Sequence, residues 1–190
     1  SNGTIYDRDY FGVPTKLNVY TSINNEKFEM RSIVVGTPVY PMEHLQFVFT
    51  KPLLCDKILL EFVEVTKDLY ANKNTYTPVS GEITFYQSYN EGELPYTNKV
   101  GNYADTNYVN DHKIPNGSFE YTSSPSADKY PLSNAFDDND AQGYWVAKDP
   151  NTETFHNYIT VTFQSIQAIE AFLLYLTFTG QATILSWNST

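Results

Sequence analysis

Hydrophobic residues recur at every second position in run after run of this chain. Leu17 and Val19 alternate with polar neighbours, as do Leu45, Phe47 and Phe49, then Ile83 and Phe85, and later Ile159, Val161 and Phe163. A period of two places all the apolar side chains of a strand on one face, so each run specifies a half-buried strand. Two further runs, Ile58 to Val65 and Ile169 to Phe178, are more continuously apolar, short and rich in β-branched or aromatic residues. They fit central strands better than helices. Strands are predicted near 15–21, 28–35, 44–50, 56–65, 81–87, 157–164, 168–178 and 182–187, with a short helical turn around Pro131 to Phe136. Eight strands without a sustained helical period predict an all-β fold of two packed antiparallel sheets. The composition agrees: 16 Tyr, 12 Phe and 17 Asn against 2 Met supply pleated-sheet and turn formers.

The charge narrows the partners. Twelve Lys and Arg against 22 Asp and Glu give a net charge of −10 and a pI of about 4.6. Nucleic acid is not an expected partner, because phosphate contacts need clustered cations. The acidity also argues against an anionic membrane surface. No apolar run approaches the roughly 20 residues that span a bilayer, so no membrane insertion is expected. No signal peptide opens the chain, which reads as a segment of a longer precursor or one that begins after processing. With 190 residues, 41% of them hydrophobic, there is material for one large domain or two small ones. The single cysteine, Cys55, forbids an internal disulfide and a cysteine-based zinc cage. Three Asn-x-Ser/Thr triplets, at Asn2, Asn116 and Asn188, fit the glycosylation acceptor pattern and favour an extracellular or cell-surface setting.

From about Gln87 to Asn116 spaced apolar residues are few and turn formers many, as in Asn90-Glu91-Gly92 and Gly101-Asn102. That stretch reads as a connector. It divides the chain into residues 1–90, a linker over 91–115, and residues 116–190.

The second block opens with Leu132-Ser133-Asn134-Ala135-Phe136-Asp137-Asp138-Asn139-Asp140, then Gly143-Tyr144-Trp145 and the strand Tyr158 to Phe163. This order resembles the opening half of discoidin domains, also called coagulation factor 5/8 type C domains or family 32 carbohydrate-binding modules. The first block resembles the family's closing half. It carries Gly12-Val13-Pro14-Thr15-Lys16-Leu17-Asn18-Val19-Tyr20, then Phe49-Thr50-Lys51-Pro52 followed by Cys55-Asp56-Lys57-Ile58. Its last strand is Gly81-Glu82-Ile83-Thr84-Phe85-Tyr86. Together these motifs cover most of the chain, with the halves in reversed order. The resemblance implies an antiparallel β-sandwich of the jelly-roll type, either circularly permuted or the unit of a repeat array. In the first case the halves pair within the chain. In the second they complete sandwiches with neighbouring copies. Pairing within the chain is the favoured expectation, since each half alone would expose half a core.

The resemblance also implies function. The family's members are non-catalytic carbohydrate-binding or adhesion modules, so glycans or glycoproteins are the expected partners. A structural interaction module in a surface or filament assembly is the alternative, with neighbouring copies of the chain as partners, and a hydrolase is the poorest fit. In the family the acidic loop and the glutamate of the closing strand hold a structural calcium. Those positions fall here on Asp137, Asn139, Asp140, the backbone near Gly143, and Glu82. Oxygen ligands gathered in one turn suit hard Ca²⁺, and the same turn reads equally as a solvated Asx-turn without metal. Gly143 stands where the family places a threonine, and the loop is one residue longer. Sugar binds such modules shallowly, on loops at one end of the sandwich. Arg8, Tyr10 and His156 are the ligand candidates on that basis, an aromatic face with planar hydrogen-bonding groups. Local packing of Tyr10 and an Arg8 pair with Asp7 or Asp9 is the competing account. Trp145 and Cys55 read as core residues, and Glu61 as a solvent-facing carboxylate.

Overall fold

The computed structural model describes residues 2–6, 12–35, 44–66, 76–88, 112–139, 143–175 and 184–188. Among the described residues ten strands run in chain order: β1 (Asn2–Tyr6), β2 (Pro14–Ser22), β3 (Glu29–Val35), β4 (His44–Val65), β5 (Val79–Ser80), β6 (Ile83–Gln87), β7 (Phe119–Ser123), β8 (Trp145–Val146), β9 (Tyr158–Tyr175) and β10 (Ile184–Asn188). Only two 3₁₀ turns, η1 (Asn116–Ser118) and η2 (Leu132–Ala135), interrupt them among the described residues. The fold is all-β, and every strand pairing is antiparallel.

The main sheet has the order β3-β2-β4-β9-β6, with β7 also pairing β9. β5 pairs β8, and β1 pairs β10 so that Asn2 lies opposite Asn188. The alternation in the sequence sets which face is buried. Leu17, Val19, Ile58, Leu60, Ile159 and Val161 all point into the core, while Asn18, Leu59 and Thr160 between them are only half-buried.

Two pairs of predicted strands turn out to be single long ones. Residues 44–50 and 56–65 are both β4, and 157–164 and 168–178 both fall on β9 as far as Tyr175. Their ladder is interrupted twice in opposite senses. Four residues between Val48 and Leu53 oppose one on β9, and four residues between Thr162 and Gln167 oppose one on β4. The first bulge accommodates Pro52, which has no N–H to donate to a ladder. These bulges fold the strands over. Phe163 and Phe172 are nine residues apart and would stand about 30 Å apart on a straight strand. Both rings nevertheless touch Phe85 of β6, at 5.7 and 6.2 Å between centroids. β4 and β9 therefore each serve two layers that share one core.

The two blocks of the chain meet along this pair, since β4 belongs to the first and β9 to the second. The end of the predicted linker is also structural: Lys113 bridges Tyr86, Ile114 donates its N–H to the Phe85 carbonyl at 2.8 Å, and the Ile114 side chain is buried. Strand β7 was not predicted, although Phe119 and Tyr121 flank Glu120 with the same period of two. Trp145 and Cys55 are core residues, as the sequence implies. Trp145 packs on Phe62 with ring centroids 5.5 Å apart and donates Nε1–H to Ser126 Oγ. Burial pushes the Cys55 thiol up to about 12.

Candidate functional site

Glu82 immediately precedes β6, and the β9 terminus fixes its backbone. Tyr175 donates its N–H to the Glu82 carbonyl at 2.8 Å, and Gly81 donates to the Tyr175 carbonyl at 3.0 Å. The Glu82 side chain is thereby turned inward and is only 3% exposed. Asn116 reaches it from η1. The Ile114–Phe85 hydrogen bond lays that segment along β6, and Asn116 donates Nδ2–H to Glu82 Oε1 and to Asp138 Oδ1 at 3.0 Å.

The third contributor is the acidic turn after η2. Phe136 anchors it by stacking on Tyr121, centroid to centroid 4.6 Å. Asp138 then takes a left-handed conformation, φ 58°, which Asp tolerates better than most residues. Its N–H points at Glu82 Oε1 at 3.3 Å, across 56 residues of sequence. Asp137 caps the turn by accepting from the Asn139 N–H at 3.0 Å. Lys113 Nζ pairs with Asp138 Oδ1 at 3.0 Å, on the exposed side.

Burial is the main influence that pushes Glu82 up to about 7, and the charges of Asp137 and Asp138 add to it. Hydrogen bonds from the Asp138 N–H and the Asn116 amide oppose the shift. Two buried oxygens, Glu82 Oε2 and Asn116 Oδ1, have no hydrogen-bond partner among the described residues. Orphaned buried acceptors are uncommon and call for a partner such as water or an ion. Among the described residues, no three His, Cys, Asp or Glu side chains group closely enough to hold a metal by themselves.

No family model, curated protein or solved structure matches this chain.

The predicted residues fare unequally. Glu82, Asp137 and Asn139 are brought to one corner, where Asp138 rather than Asp137 or Asn139 bonds Glu82. Asp140 lies outside the described residues. Gly143 is exposed with φ 100°, and Asn134 Nδ2 donates to the Tyr144 carbonyl beside it at 3.1 Å. Asn116, one of the three glycosylation candidates, is the one whose side chain is described. It is 4% exposed, and the amide nitrogen that a glycan would occupy is engaged by two carboxylates in the folded chain. The side chains of Asn2 and Asn188 lie outside the described ones, as do Arg8 and Tyr10 altogether. His156 is described: its Nδ1 stands 3.7 Å from Glu61 Oε1, both side chains 28% exposed. Among the described residues no helix is long and apolar enough to cross a membrane.

Proposed function

We propose that the chain is an extracellular, non-catalytic carbohydrate-binding or adhesion module. In this reading it is a discoidin-like jelly roll with its halves in exchanged order, braced by a structural Ca²⁺. One observation carries the reading: Glu82 of the first block meets the acidic turn of the second within a single chain. That is the juxtaposition the family resemblance calls for, and no local pairing rule would produce it.

The donors present fit calcium. Glu82 Oε2 and Asn116 Oδ1 are hard oxygens, buried and without a hydrogen-bond partner among the described residues, and Asp138 adds a carboxylate that the Asn116 amide bridges to Glu82. A half-turn of the Asn116 amide would aim Oδ1 at the carboxylates now facing its nitrogen, an arrangement only a cation stabilises. Glu82, Asn116 and Asp138 would hold the ion, with main-chain oxygens and water completing its shell. The ion would supply charge compensation across the two blocks rather than reaction chemistry. Glycans or glycoproteins are the partners, and Asn2, Asn116 and Asn188 are the glycosylation candidates, Asn116 only before the chain folds.

An array of neutral and anionic oligosaccharides, probed with the whole chain in millimolar Ca²⁺, tests the reading. Selective binding to a set of related glycans is the expected result. A silent array from a folded protein would overturn it.

A further inference from the structure

The outward face of the main sheet carries a second group of side chains that the calcium corner does not use. Antiparallel register places Asn18 of β2, Glu61 of β4 and Tyr158 of β9 in one row. Tyr20, Leu59 and Thr160 form the next row, and the edge strand β3 adds Ile33 beside Asn18 and Met30 beside Tyr20. The opposite face of the same strands is core, so these residues are held by rigid ladders rather than by loops. Asn18 Nδ2 donates to Glu61 Oε1 at 2.8 Å, and His156 Nδ1 stands 3.7 Å from the same oxygen. Glu61 Oε2 and Asn18 Oδ1 make no hydrogen bond among the described residues. Tyr158 is 38% exposed, and Met30 and Ile33 are more exposed still.

A core-backed sheet surface has no structural need for this combination. Tyr158, Met30 and Ile33 leave apolar surface in water, which costs free energy. Between them, three planar polar groups converge with acceptor capacity to spare. An aromatic face beside planar donors and acceptors is complementary to a sugar ring, which presents C–H groups on one side and hydroxyls at its rim. From β3 to β9 the platform spans three strand spacings, about 14 Å, room for a short oligosaccharide. Its central row carries the Glu61 carboxylate, and the chain has a net charge of −10, so anionic sugars are disfavoured.

We propose that this face, with Tyr158 as stacking platform and Asn18, Glu61 and His156 as hydroxyl-binding groups, binds a neutral oligosaccharide lying across the strands. The proposal rests on the carbohydrate-binding reading and moves the site from the loop end, where Arg8 and Tyr10 were expected to act, to the sheet.

The test is a ¹⁵N-HSQC titration of the whole chain with cellopentaose, xylopentaose, mannopentaose and lacto-N-neotetraose. At least one should shift the amides of Asn18, Glu61 and Tyr158 and the Asn18 side-chain NH₂, leaving those of Glu82 and Asp138 in place. Tyr158→Ala should weaken that binding about tenfold. Glu61→Gln, which keeps an acceptor for Asn18 and so protects the fold, should also weaken it severalfold. A protein silent on the glycan array loses both readings. Array binding with none of the four probes bound, or with shifts confined to the loops, overturns this proposal alone. A wild-type dimer that Tyr158→Ala converts to monomer in sedimentation would make the face a self-interface and overturn it too.

Discussion

Glu82 should make the calcium-free protein less stable as pH rises, the reverse of the usual carboxylate effect. Its folded-state value of about 7 lies above the ordinary 4.5. Below pH 4.5 the carboxyl is protonated in both the folded and the unfolded chain. Between 4.5 and 7 the unfolded chain releases that proton while the folded one retains it, so unfolding gains free energy with each unit of pH. At 1.36 kcal/mol per unit the loss accumulates to about 3 kcal/mol by pH 7 and then levels off. The assay is urea unfolding in EGTA at half-unit steps from pH 4.5 to 8, on wild type and on Glu82→Gln. Glutamine keeps the acceptor for Asn116 and Asp138 but does not titrate, so the difference between the two proteins isolates Glu82 from the remaining carboxylates and histidines. That difference should change across the window with a slope of up to about 1.4 kcal/mol per unit, leaving the variant the more stable protein at pH 8. Parallel pH profiles for the two proteins would refute the reasoning.

Three other substitutions or treatments probe the frame around the site. Trp145→Ala empties a fully buried position against Phe62 and removes the indole hydrogen bond to Ser126, and should cost about 3–5 kcal/mol in chemical denaturation. Gly12→Ala should cost about 2 kcal/mol or more: Gly12 sits at φ 60°, and a Cβ there would run into the Thr77 carbonyl oxygen. An undiminished melting temperature would show that the backbone relaxes. Cys55, buried with its thiol pushed up to about 12, should resist a disulfide reagent at pH 8 in the native protein and react in urea, whereas rapid native labelling would show an open path to it.

The strands were legible because alternation is local. Leu17 with Val19, and Ile159 with Val161, declare their buried face without knowledge of their partners. The folding-over of β4 and β9 was not legible, because Pro52 and Gln164 to Ile166 read as strand ends when they are bulges inside longer strands. Only the pairing of distant segments separates those cases. β7 was overlooked for a related reason: Phe119 and Tyr121 are too short a run to stand out beside a polar stretch. At the acidic corner, Glu82 and the turn were accessible through a family pattern. Asn116 was not, since its Asn-Gly-Ser triplet spells a glycosylation acceptor and nothing local signals that the side chain is buried against two carboxylates. The sheet-face row of Asn18, Glu61 and Tyr158 is a product of register between three strands, which Glu61 read alone as a solvated carboxylate does not reveal.

Calcium titration of the EGTA-stripped chain by calorimetry, with melting followed in parallel, tests the central claim most directly. One ion should bind per chain, and at a hundredfold excess over its dissociation constant it should add about 2.7 kcal/mol of stability, both effects failing in Glu82→Gln. A flat titration with an unchanged melting temperature would contradict the account and leave the Glu82–Asn116–Asp138 corner a hydrogen-bonded turn without a metal.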